Sequence, residues 1–177
     1  MISMLGASFL NDSIPYLDNT DELLERLRKR VIEGFDQGEN SQVSDGMDIC
    51  MMRLNVKTKE VQFSGAMNPI FIVREKKNDK GIEGLKKSLE NDELVIYTAA
   101  PDKQPIGYYF KMEPFSRTEF TLQEGDQVYL LSDGYVDQFG GVNYKKFMRK
   151  NLFLKLFEVY HLPSSDQKKV LWETMST

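Results

Sequence analysis

The sequence predicts an α+β fold in a single domain covering residues 1–177, with helices toward both ends and antiparallel sheet between them. Three observations carry this. Apolar residues recur at helical spacing in "NTDELLERLRKRVIEGFDQG" (19–38), short β-rich runs separated by turn residues fill the middle, and a helical period returns after Gly140-Gly141.

Taken in order, "MLGASFLNDSI" (4–14) reads as the later part of a small-residue helix with Met4, Leu5, Ser8 and Phe9 on one packing face. In the next helix, Asn19 followed three residues on by Glu22 has the form of a capping box. Leu24, Leu27, Val31 and Phe35 then form an apolar stripe, and Gly38 marks a stop. Strands are predicted in "MDICMMRLNV", "EVQFSGA", "PIFIVRE", "ELVIYTA" and "RTEFTLQ". In the last of these Phe120 and Leu122 alternate with Arg117, Glu119 and Thr121, the sign of a half-exposed strand. "QVYLLS" (127–132) has no polar alternation and is expected to be a central strand covered on both faces. The charged stretch 76–93 reads as a surface loop or short helix, "NYKKFMRKNLFLKLFEVY" (143–160) as a helix, and a last helix follows Pro163.

Composition removes several classes of function. A net charge of −4 argues against a general nucleic-acid surface, since phosphate binding wants clustered positive charge. No apolar run approaches the roughly eighteen residues of a membrane span, and the opening residues lack the basic flank and cleavage site of a signal peptide. The single cysteine, Cys50, suits a cytoplasmic protein, and with His161 as the single histidine a Cys/His zinc site is out of reach. Any metal must be held by oxygen, which points to hard ions such as Mg2+ or Mn2+.

The chemistry concentrates in "VYLLSDGYVDQFGG" (128–141). A carboxylate at the tip of a buried strand is unfavourable unless something neutralises it. A divalent cation at Asp133 would do so, Gly134 would let the backbone turn away without a Cβ in the way, and Asp137 could add a second oxygen ligand. The same residues also read as a strand-ending Asp-Gly turn with Asp137 as an N-cap, and such turns are abundant.

"VYLLSDGYVDQFGG", with "SDGMDICMMRLN", "VQFSGAMNPIFIVRE" and "QPIGYY" in the same order, resembles the SpoIIE-type branch of the metal-dependent (PPM) serine/threonine protein phosphatases. The resemblance implies a β-sandwich of two antiparallel sheets flanked by helices. It also implies hydrolysis of phosphoserine or phosphothreonine on a bacterial signalling regulator, of the kind that antagonises anti-sigma factors, at two Mg2+ or Mn2+ ions bridged by aspartates. By position, Asp133 is then a core metal ligand, Asp137 a ligand of a weaker additional metal, and Asp45 an acid near that outer site. Asn68, in the "GAMNP" turn, becomes a candidate on the substrate face, though an Asn-Pro turn accounts for it equally.

Two parts of the family's site do not occur in these residues: an Asp-x-x-Gly-His-Gly segment before the first helix and an Asp-Asp pair on a final strand. The expectation is a phosphatase domain trimmed at both ends, lacking terminal strands. By itself it should be inactive, because a pair of hydrated dications ~4 Å apart needs several carboxylates. The alternative is a catalytically silent phosphatase-like module that binds a protein partner. Missing strands would also leave an unpaired edge beside "QVYLLS", from which a homodimer is expected. Lys145, Lys146, Arg149, Lys150 and Lys155 form a basic cluster, read either as a solvated helix face or as a docking patch for an acidic partner.

Overall fold

A computed structural model describes residues 2–13, 19–39, 45–140 and 145–175. In chain order the elements are α1 (Ile2–Ser13), α2 (Thr20–Gly34), β1 (Ile49–Leu54), β2 (Glu60–Ala66), β3 (Ile70–Glu75), β4 (Lys86–Glu90), β5 (Leu94–Ala99), β6 (Thr118–Thr121), β7 (Gln127–Leu130), β8 (Phe139–Gly140), β9 (Lys145–Lys146), α3 (Met148–Val159) and α4 (Ser164–Met175). Helices and antiparallel sheet thus occupy the chain as expected of an α+β protein. The chain divides into two compact units, one formed by residues 1–69, 82–85 and 99–123 and the other by 70–81, 86–98 and 124–177.

In the first unit, β1, β2 and β6 form a sheet in the order β1-β2-β6 with antiparallel neighbours. The stripe read from the sequence builds its core. Leu24, Leu27 and Val31 of α2 are fully buried and cluster with Ala66, Ile106 and Phe115, with Phe9 and Phe35 partly buried against them. Each such burial contributes about 1.5–3 kcal/mol. Arg28 sits on the same helix and is 9% exposed. It survives there because its guanidinium bonds Glu25, the Gln104 side chain and the Glu113 carbonyl while lying 4.7 Å from the Phe115 ring centre. Glu25 in turn accepts the Phe115 N–H at 2.7 Å, so one ion pair fastens the 104–115 loop to α2.

Several local expectations change. Asn19 does not close a capping box: its amide donates to the Glu22 carboxylate at 2.8 Å instead of accepting a backbone N–H. The helix stops at Gly34 rather than Gly38, because Phe35 leaves the helical region and Asp36 takes φ 48°. Ser8 is exposed, so it does not share the packing face of Phe9, and the side chains of Met4 and Leu5 lie outside the described residues.

The second unit holds a four-stranded sheet in the order β4-β5-β3-β7. Phe71 and Val73 of β3 and Leu94 and Ile96 of β5 pack with Leu152, Phe153, Leu156 and Tyr160 from α3 and its end. Ile70, Ile72 and Val95, on the opposite face, are also fully buried. "QVYLLS" is not the central strand its composition suggested. β7 pairs with β3 as the terminal strand of the sheet, Gln127, Val128 and Tyr129 are half-buried and Leu130 is 47% exposed. The strands whose side chains are buried on both faces are β3 and β5, although their apolar runs are no longer than that of β7.

The charged stretch 76–93 contains β4, paired antiparallel with β5 at the sheet edge. Its lysines obscured it in the sequence, yet charge is what protects an edge strand from pairing with other chains. α3 starts at Met148, later than its periodicity suggested, since Lys145–Lys146 pairs with Phe139–Gly140 as a two-residue hairpin. Asn143 and Tyr144 of the expected helix lie outside the described residues. The last helix follows Pro163 as expected.

Candidate functional site

The end of β7 delivers Ser132 in extended conformation to a single 3-10 turn, Asp133–Tyr135. The Asp133 carbonyl accepts the N–H groups of Val136 and Asp137, both at 2.9 Å, which brings Asp137 one turn beyond Asp133. Ser132, Asp133 and Gly134 are exposed. The premise of a carboxylate buried at a strand tip therefore does not hold: β7 is half-exposed, and Asp133 faces no desolvation that a cation must offset. Nor does the turn require glycine. Gly134 has an ordinary φ, and a Cβ there would meet the Ser132 Oγ at 3.6 Å, an unstrained contact.

Asp137 caps no helix. Its carboxylate Oδ1 pairs with the Lys146 ammonium at 2.8 Å. The pair is set by backbone: β8 and β9 align Phe139 with Lys146, the Phe147 N–H donates to the Gln138 carbonyl at 2.8 Å, and the Met148 N–H donates to the Val136 carbonyl at 2.8 Å. Met148 is held at φ 68°, a strained region for a side chain of its size.

Asp45 and Asn68 belong to the first unit. Asp45 is exposed just before β1, and the feature that holds it is its carbonyl, which accepts the buried Gln37 amide at 2.7 Å. Gln37 also accepts the Tyr108 N–H at 2.8 Å, so the "QPIGYY" loop and the approach to β1 are tied to the end of α2. Asn68 is 7% exposed in the β2–β3 connection. Before it Met67 takes φ 66°, and the Asn68 N–H donates back to the Ala66 carbonyl at 2.8 Å. This tight reversal makes Gly65 indispensable: a Cβ there would lie 2.5 Å from the Asn68 carbonyl and 2.8 Å from the Phe63 ring.

The sequence reading missed a buried ion-pair network in the second unit. Arg74 of β3 and Asp126, just before β7, form a bidentate pair with side chains 2% and 1% exposed. Arg74 also donates to the Gly81 carbonyl and lies 3.9 Å from Asp79, whose carboxylate accepts the Tyr97 hydroxyl at 2.7 and 2.8 Å. The hydrogen bond to Asp126 raises the already high Arg74 pKa, outweighing burial. Burial and the Asp79 carboxylate push Tyr97 up to about 12. The signal for this network was an arginine at the end of the wholly apolar run "PIFIV", since a buried cation needs a buried anion.

The donor set among the described residues does not make up a two-metal centre. Among the described residues no group of three or more His, Cys, Asp or Glu side chains is placed to hold a metal ion. The carboxylate of Asp137 pairs with Lys146, both side chains about half-exposed.

A search of curated protein sequences returns no significant match. The family model for stage II sporulation protein E (SpoIIE) matches residues 2–177. Among solved structures, the SiaA-PP2C domain of Pseudomonas aeruginosa is similar with a TM-score of 0.76 at 16% identity, over 99% of this chain and 61% of that one. The chain thus spans about three-fifths of the solved domain it matches. Among the described residues, no helix is long and apolar enough to cross a membrane.

Proposed function

The chain belongs to the SpoIIE family, and from that membership we propose that it forms part of a metal-dependent phosphatase that hydrolyses phosphoserine or phosphothreonine on a regulatory protein. The observation that carries this reading is the family match over 2–177. It includes the Ser132-Asp133-Gly134 turn, whose three residues are exposed. The whole family site would use Mg2+ or Mn2+ to activate water and offset phosphate charge. With Asp137 held by Lys146 and no third acid beside it among the described residues, the 177-residue chain assayed alone is expected to be inactive. Turnover of a phosphoserine peptide with millimolar Mn2+ tests this. Substantial hydrolysis by the chain, abolished in Asp133→Ala, would overturn the inactivity.

The Asp137–Lys146 pair favours a second reading, a phosphatase-like module that binds a partner without catalysis. The gene sequence flanking these residues separates the two. An Asp-x-x-Gly-His-Gly segment upstream and an Asp-Asp pair downstream would supply the missing acids and favour the enzyme, and their absence would favour the module.

A further inference from the structure

The surface beside the Asp133 turn is basic, against the charge of the chain as a whole. Between Ser132 and Leu152 the sequence carries four cations, Lys145, Lys146, Arg149 and Lys150, and two acids, Asp133 and Asp137, in a protein of net charge −4. Lys146 is engaged by Asp137, while Lys145, Arg149 and Lys150 are exposed. Two apolar side chains stand among them, Phe139 at 57% exposure and Met148 at 60%.

This surface is fixed in place. The β8–β9 pairing, the Phe147-to-Gln138 hydrogen bond and the Met148-to-Val136 hydrogen bond hold the hairpin against the Asp133–Asp137 turn. The positive φ of Met148 is the kind of backbone strain a fold keeps when a segment must be presented in one way. A backbone fixed in advance costs less ordering entropy on meeting a ligand than a mobile segment does.

We propose that Lys145, Arg149 and Lys150, with Phe139 and Met148 between them, form a docking surface for an acidic segment of the phosphorylated protein partner. The identity of that partner rests on the phosphatase reading above. Charge complementarity selects the occupant: the exposed Lys145 and Lys150, with Arg149 lying 5.7 Å from the Phe71 ring centre, stand beside two apolar side chains. They suit a short acidic peptide with a hydrophobic anchor, and steer its approach across an otherwise acidic protein. A lipid surface is disfavoured. Two exposed apolar side chains offer little to insert, and the chain's net negative charge opposes an anionic bilayer.

The test uses a fluorescent phosphoserine peptide flanked by glutamates, with binding followed by polarisation at increasing salt. Wild type should bind at low salt and release as the Debye length falls from about 10 Å at 0.1 M to about 3 Å at 1 M. Lys145→Glu/Lys150→Glu should weaken binding about tenfold or more, and Lys145→Gln/Lys150→Gln by less. Reversing two exposed lysines elsewhere, Lys57→Glu/Lys111→Glu, should change little. Equal weakening by the Lys57/Lys111 reversal, no binding at low salt, or binding to vesicles rich in anionic lipid in place of the peptide would each overturn the proposal. The readout is binding, so a flanking gene sequence that lacks both acid motifs and removes the phosphatase reading leaves peptide docking separately measurable.

Discussion

The Arg74 guanidinium grips the Asp126 carboxylate through two hydrogen bonds, Nε to Oδ1 at 2.8 Å and Nη2 to Oδ2 at 2.6 Å, with both side chains almost wholly withdrawn from solvent. It joins β3 to the start of β7, the strand that leads into the Asp133 turn. Removing one partner strands the other charge in the interior. Arg74→Met and Asp126→Ala are each expected to destabilise the chain by about 3–5 kcal/mol. Urea unfolding checks this, and the double variant Arg74→Met/Asp126→Leu should recover part of the loss.

The neighbouring Asp79–Tyr97 pair predicts a stability profile with two edges. Burial alone would raise the Asp79 carboxyl, but the Tyr97 hydroxyl, the Gly81 N–H and the charges of Lys87 and Arg74 outweigh it and lower the pKa below 3.8. A lowered carboxyl stabilises the fold above the unfolded value, and that contribution is lost as pH falls through the folded one. Tyr97 behaves oppositely. Its pKa is raised from 10.0 to about 12, so stability is intact below pH 10 and falls as pH rises toward 12. Tyr97→Phe should shrink the alkaline loss and, by removing a hydrogen bond to Asp79, soften the acid one. Some alkaline loss should remain, because burial also places Tyr129 at about 12. Denaturation midpoints across pH, compared with wild type, measure both edges.

Two glycines are expected to respond to the same substitution in opposite ways. Gly65→Ala places a methyl 2.5 Å from the Asn68 carbonyl, a backbone atom that cannot move without opening the β2–β3 reversal. Gly134→Ala meets a side-chain hydroxyl at 3.6 Å. The first should lower the thermal midpoint by many degrees or prevent folding. The second should stay within about 1 kcal/mol of wild type, the range of an exposed Gly→Ala change without strain.

This contrast shows what was legible in the sequence. The α2 stripe was, because Leu24, Leu27 and Val31 follow a helical period that burial then uses directly. β2, β3, β5 and β6 were, because short β-rich runs between turn residues carry their own boundaries. β4 was not: an edge strand is charged, and charge reads as loop. The β8–β9 hairpin was not, since two-residue strands have no period of their own. The Asp133–Gly134–Asp137 segment was legible as a turn with two acids, but whether its strand is covered depends on pairing partners distant in sequence. Asp137's engagement by Lys146 follows from the hairpin register, which no spacing rule reveals.

The last prediction concerns β7. Among the described residues it is the terminal strand of its sheet, bonded to β3 on one side, with Leu130 47% exposed at its end. An uncharged edge is a template for another strand, unlike β4 at the opposite side, whose Lys86, Lys87 and Glu90 discourage addition. An antiparallel pairing of two β7 edges is self-complementary and closes after two copies. A homodimer is therefore expected at micromolar concentration, and Leu130→Lys should return it to monomer by placing a charge on the shared edge. Light scattering decides: a single species at 20.5 kDa, unchanged on concentration, would rule out the pairing. A dimer indifferent to Leu130→Lys would put the interface elsewhere.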